Sequence, residues 1–210
     1  MIVINFKNYK VGKDSVKLAK VVQKYLPKAI VCPPIMDVDE ITDETKLNVF
    51  AQHVDNISGN RATGHVVPSV LKALGIQGTL LNHSEHRLPF HILEESIREA
   101  KKAGLKVIVC VPSLSYVRAV RKLKPWAIAF EDAKLIGSGK SITDSRKKAV
   151  ERFARKLKGS EIKSLCGAGI NSIDDVKAAK ILGCEGVLIA SAIAKDFRKG
   201  EKFLKELSKI

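Results

Sequence analysis

Two histidines stand three residues apart in His83-Ser84-Glu85-His86, one residue beyond the apolar run Gly78-Thr79-Leu80-Leu81. Imidazole and carboxylate presented together suit a metal, a satisfied structural corner or the mouth of an active site. The metal alternative lacks a third ligand at a recognisable spacing, and no cysteine lies near. A second carboxylate, Glu131, directly follows the apolar run ending at Phe130. Placed there, at the edge of an apolar element, it is a candidate general base. Gly137 and Gly139 follow in "LIGSGKS", and their backbone freedom permits a moving segment whose N–H groups reach an anion. That stretch is not a P-loop, because the pattern needs glycine where Lys134 stands. Near the N-terminus Asn5 and Lys7 alternate with Phe6, so an amide and an ammonium can share one face while Phe6 packs away. Small residues fill "CGAGI" (166–170) and "IASAIA" (189–194). They let backbone amides approach a bound group, and a short helix starting near Ala192 would aim its N-terminus there.

Something must bring these scattered residues together, and the chain repeats one unit throughout. A short continuous apolar run is followed by a polar or glycine-rich loop and then by an amphipathic segment. The runs lie at 2–4, 29–32, 47–51, 79–81, 106–111, 127–130, 162–166 and 187–190. Runs without alternation suit strands buried on both faces, as in a parallel sheet covered by helices. Helices are expected at 14–25, 68–74, 92–103, 114–123, 143–157, 173–182 and 199–209, with a stunted one around 37–43. Eight such units, with no linker or composition shift between them, predict a closed (β/α)8 barrel forming one domain over residues 1–210. Chemistry in that architecture sits at the C-terminal ends of the strands, where every candidate residue above lies.

Composition bounds the partners. With 45% hydrophobic residues over 210 positions, the chain can bury a sizeable core. No window approaches the roughly 18 apolar residues of a membrane span, and the first residues read as a strand rather than a leader, so the expected location is cytoplasmic. The four cysteines form no C-x-x-C pair, and three of them end apolar runs, as small hydrophobes do in a reducing compartment. A net charge of +15 raises nucleic acid as a partner. Its lysines and arginines, however, interleave with acids at helical spacing and lack interspersed aromatics, which reads as solvated helix faces with no nucleic-acid site.

Taken in order, "NFKNYK", "FAQHVD", "TGH", "GTLLNHSEHRL", "FED…LIGSGKSI", "LCGAGI" and "GVLIAS" resemble the triosephosphate isomerase family in its shorter archaeal form, over essentially all 210 residues. The resemblance implies a TIM barrel with trimmed helices. It also implies an aldose–ketose isomerase of glycolysis and gluconeogenesis, needing no cofactor and no metal. On that similarity Glu131 is the base that shuttles a proton between two carbons of a triose phosphate, and His83 polarises the carbonyl and stabilises the enediolate. Lys7 and Asn5 supply a charge and a hydrogen bond to substrate. Ile136, Gly137, Gly169, Ala190 and Ser191 bind the phosphate. Glu85 supports Lys7, and Thr63 reaches the site of a neighbouring subunit, so a homo-oligomer is implied, a homotetramer with the dimer as minimum. Two departures stand out: Asp132-Ala133-Lys134 replaces the family's usual proline after the base, and His86 stands where arginine is common. Another phosphate-binding barrel would share the last two loops but not the contexts of His83 and Glu131.

Overall fold

In a computed structural model of the chain, which describes residues 1–131, 141–167 and 169–210 (the backbone alone at Asp144), eight strands close into a barrel in chain order. They are β1 (Ile2–Asn5), β2 (Ile30–Cys32), β3 (Asn48–Ala51), β4 (Gly78–Leu81), β5 (Lys106–Val111), β6 (Ala127–Glu131), β7 (Lys163–Gly167) and β8 (Gly186–Ile189). Neighbouring strands are parallel all the way round, β8 returning to β1 with Val3 opposite Leu188.

The continuous apolar runs follow from burial on both faces. Val3, Leu80, Ile108, Leu165 and Leu188 point into the barrel. Their chain neighbours Ile4, Leu81 and Val109 point out into the layer beneath the helices. Successive side chains alternate faces, and each face meets a core, so the runs are predominantly apolar, with small hydroxyl residues such as Thr79 and Ser164 among the exceptions. Phe50 fills the lower interior and meets Trp126 with ring centroids 5.9 Å apart. That packing demands glycine at 78, where a Cβ would lie 2.5 Å from the Phe50 ring and 2.4 Å from the Lys106 carbonyl oxygen.

The helices are α1 (Lys13–Tyr25), α2 (Val38–Glu44), α3 (Pro68–Ala73), α4 (Phe90–Lys102), α5 (Leu114–Lys122), α6 (Ile142–Ser145), α7 (Lys147–Leu157), α8 (Ile173–Ile181), α9 (Ser191–Ala194) and α10 (Phe197–Leu207). Two of the connecting helices, α2 and α3, have only seven and six residues. One expectation is corrected: the single helix over 143–157 is two. Arg146 leaves the helical region at φ −138°, and the short α6 is held by tertiary contacts instead. Ser141 caps it through the Thr143 N–H, and the Thr143 hydroxyl donates to Asp175 Oδ1 at 3.1 Å. Local periodicity carries no trace of a partner on α8.

Candidate active site

The C-terminal ends of β1, β4, β6, β7 and β8 surround one cavity of about 560 Å³. Asn5, Lys7, His83, Glu85, Glu131, Gly169, Ala190 and Ser191 all line it, together with Tyr9, Asn171 and Lys195. Ile136 and Gly137, expected at the phosphate, lie outside the described residues, as do residues 132–134. Thr63 lies on the exposed loop after β3, away from this cavity.

Glu131 closes β6 and is 4% exposed, with Gly167 opposite it on β7. Its Oε1 lies 3.6 Å from His83 Nε2, too far for a hydrogen bond, so neither group is spent on the other. Among the described residues its buried Oε2 has no hydrogen-bond partner. Leaving a buried carboxylate oxygen unsatisfied costs on the order of 1–3 kcal/mol, and such groups persist where function requires them. From β5, Cys110 faces the same interior. Burial and the nearby Glu131 carboxylate push its thiol well above the ordinary range, so it stays protonated.

His83 is held by the loop after β4. The Glu85 N–H donates to His83 Nδ1 at 3.3 Å. A ring nitrogen that accepts a hydrogen bond carries no proton itself, so the neutral ring has its hydrogen on Nε2, the nitrogen nearer Glu131. Asn82 organises this turn from a left-handed conformation (φ 59°). Its side chain donates to the Cys110 carbonyl at 2.8 Å and accepts the Leu88 N–H at 3.0 Å. Arg87 donates to the Asn82 carbonyl at 2.6 Å. His86 turns away and lies against the His53 ring, centroids 4.3 Å apart, so the two histidines of the motif do not converge. No group of three metal-ligating side chains occurs among the described residues.

Lys7 reaches the cavity by a route that strand alternation does not supply. β1 ends at Asn5, and Lys7 adopts φ 46°, costing about 1–2 kcal/mol for a non-glycine residue. Two hydrogen bonds, each worth about 1 kcal/mol, offset that strain. The Lys7 N–H donates to Asn5 Oδ1 at 2.9 Å, and Gln52 Nε2 donates to the Lys7 carbonyl at 2.9 Å. The ammonium then meets Glu85 Oε1 at 2.6 Å. Asn82 and Gln52 are positioning residues that sequence reasoning passed over, although both lie inside stretches it singled out. Tyr9 and Asn171 were equally invisible, since neither carries a local signal of lining a cavity.

Opposite Glu131 the wall is small and polar. Gly169 (φ 70°) follows β7, and the Asn171 side chain donates to its carbonyl at 2.9 Å. Ala190 and Ser191 begin α9, whose first N–H groups have no intrahelical acceptor. The cavity thus offers a carboxylate base, an N–H electrophile and an ammonium at one end, and backbone amides at the other.

Comparison with known proteins agrees with this geometry. The sequence model of the triosephosphate isomerase family matches residues 1–205. The triosephosphate isomerase of Methanocaldococcus jannaschii is 38% identical, covering all of this chain and 99% of that protein. That of Methanopyrus kandleri is 37% identical, over 91% of this chain and 89% of its own length. A crystal structure of triosephosphate isomerase from Bartonella henselae superposes with a TM-score of 0.76 at 17% identity, over 97% of this chain and 95% of that one.

Proposed function

Because the chain belongs to the triosephosphate isomerase family, we propose that it interconverts dihydroxyacetone phosphate and D-glyceraldehyde 3-phosphate, in glycolysis and gluconeogenesis. The observation that carries the mechanism is the pairing of a buried, hydrogen-bond-free Glu131 oxygen with a His83 Nε2–H on one cavity. Glu131 removes a proton from the carbon next to the carbonyl and returns it to the neighbouring carbon. His83 Nε2–H and the Lys7 ammonium face the oxygen on which charge develops and stabilise the enediolate, with Asn5 beside them. Gly169, Ala190 and Ser191 hold the phosphate through backbone N–H groups, joined by Ile136 and Gly137. Glu85 aims Lys7. No step calls for a metal or cofactor.

The protein acts as a single barrel domain in the cytoplasm and as a homo-oligomer, with Thr63 reaching a neighbour's site. Among the described residues no helix is long and apolar enough to cross a membrane. A coupled assay with D-glyceraldehyde 3-phosphate tests the reading. Wild-type protein should turn over, and Glu131→Gln should lose at least about 100-fold in kcat while keeping its fold. A variant retaining a tenth of the rate would remove Glu131 from the mechanism.

A further inference from the structure

We propose that Lys195 binds the substrate's phosphate dianion, a role that rests on the isomerase reading above. Charge arithmetic in the cavity motivates it. The fully charged side chains among its described lining residues are Lys7, Lys195, Glu85 and Glu131. Among these described side chains two positive and two negative groups cancel; without Lys195 this set carries net negative charge and repels a phosphate bearing between one and two negative charges at neutral pH. Lys7 cannot carry the task alone, because its ammonium lies 2.6 Å from the Glu85 carboxylate and serves the reacting end. Lys195 has no ion pair among the described residues. The nearest acid in sequence, Asp196, is turned to cap α10, accepting the Lys199 N–H at 2.9 Å.

Position supports the same role. Lys195 directly follows α9, one turn beyond Ser191, and lines the cavity together with Ser191, Ala192, Gly169 and Asn171. An exposed ammonium there sits at the rim, where it meets an incoming anion before the buried groups do. Backbone amides orient a phosphate, and a mobile cation supplies the charge that neutral N–H groups lack.

The test uses Lys195→Met and Lys195→Arg; position 195 is exposed, so neither should disturb the fold. Lys195→Met should raise KM for D-glyceraldehyde 3-phosphate by at least about threefold, the scale of one exposed ion pair, with kcat within about twofold. Lys195→Arg should restore KM, and added salt should shrink the difference between wild type and Lys195→Met. Turnover of D-glyceraldehyde, which has no phosphate, should be unchanged. A smaller rise in KM, or an equal loss on the unphosphorylated aldehyde, would overturn the proposal. Calorimetric titration with inorganic phosphate separates the two readings. If wild type shows no turnover yet binds phosphate more tightly than Lys195→Met, the isomerase reading falls and the anion site stands. Equal phosphate affinity sinks the anion site whatever the turnover.

Discussion

A Cβ at Gly167 would lie 3.2 Å from Glu131 Cγ and 3.3 Å from Leu188 Cβ. The Leu188 atom is tied to the β8 backbone, so the Glu131 side chain is the neighbour that yields more readily. On the proposed mechanism, a shift of a few tenths of an ångström in a base that must meet one carbon is expensive in rate, since misplacement by about 1 Å can cost about 100-fold. Gly167→Ala should therefore lower kcat by about tenfold with KM within about threefold. Steady-state kinetics on the folded variant check this. An unchanged kcat would show that the base tolerates movement, or that Leu188 gives way instead. Lys7 carries the companion lesson. Its charge is in place only because a strained backbone is held by Asn5 on one side and Gln52 on the other.

At the scale of elements, Asp175 joins the loop after β7 to α6 and α8. Its Oδ2 accepts the Asn171 N–H, the Ser172 N–H and the Ser172 hydroxyl at 2.9–3.0 Å, while Oδ1 accepts the Thr143 hydroxyl. Burial alone would raise its carboxyl. The hydrogen bonds from Ser141, Asn171, Ser172 and Thr143 outweigh it and hold the group below its ordinary 3.8. A carboxylate held low in the folded state stabilises the fold above its unfolded value and loses that contribution as pH falls through the folded one. Asparagine has one acceptor oxygen, so Asp175→Asn must abandon either Thr143 or the Asn171–Ser172 turn. It should cost about 1–3 kcal/mol at pH 7, with the gap from wild type narrowing as pH drops below 3.8. Thermal melts across a pH series measure both effects. A gap independent of pH would assign the loss to packing and remove the ionised carboxylate from the account.

Over the whole molecule, two of the most exposed apolar side chains lie beside one loop-to-loop hydrogen bond. Gly12 N–H donates to Asp37 Oδ1 at 3.0 Å, joining the loop after β1 to the turn after β2. Val11 and Met36, each one residue from that bond, are 60% and 87% exposed. The long loop after β3 is closed at its base, where Asp55 N–H donates to the Val66 carbonyl and Val66 N–H donates to the Asp55 carboxylate. Exposed Val11 and Met36, together with the closed loop, suit a self-complementary contact between copies. Light scattering at moderate salt should give a mass of at least twice the 23.0 kDa chain, with four chains the expected assembly. A monomer with full activity would end the role proposed for Thr63.

The barrel and most of the residues that line its cavity were legible in the order of residues. Each strand is buried on both faces, so its run is predominantly apolar, and Glu131 interrupts such a run at its C-terminal end. His83 and Lys7 likewise stand just past such runs, and the resemblance of their contexts to a known family supplied the roles proposed for them. What the tertiary structure decided depends on partners far along the chain. Gln52 sets the left-handed turn that presents Lys7, 45 residues away. Asp175 is joined to the short α6 that breaks an otherwise continuous helical pattern, 32 residues from Thr143. Asn82 and Arg87 both donate to the Cys110 carbonyl, which fastens the His83 loop to β5. Periodicity reports which face of an element is buried. It is silent on which distant hydrogen bond offsets a strained backbone, because that partner exists only once the barrel has closed.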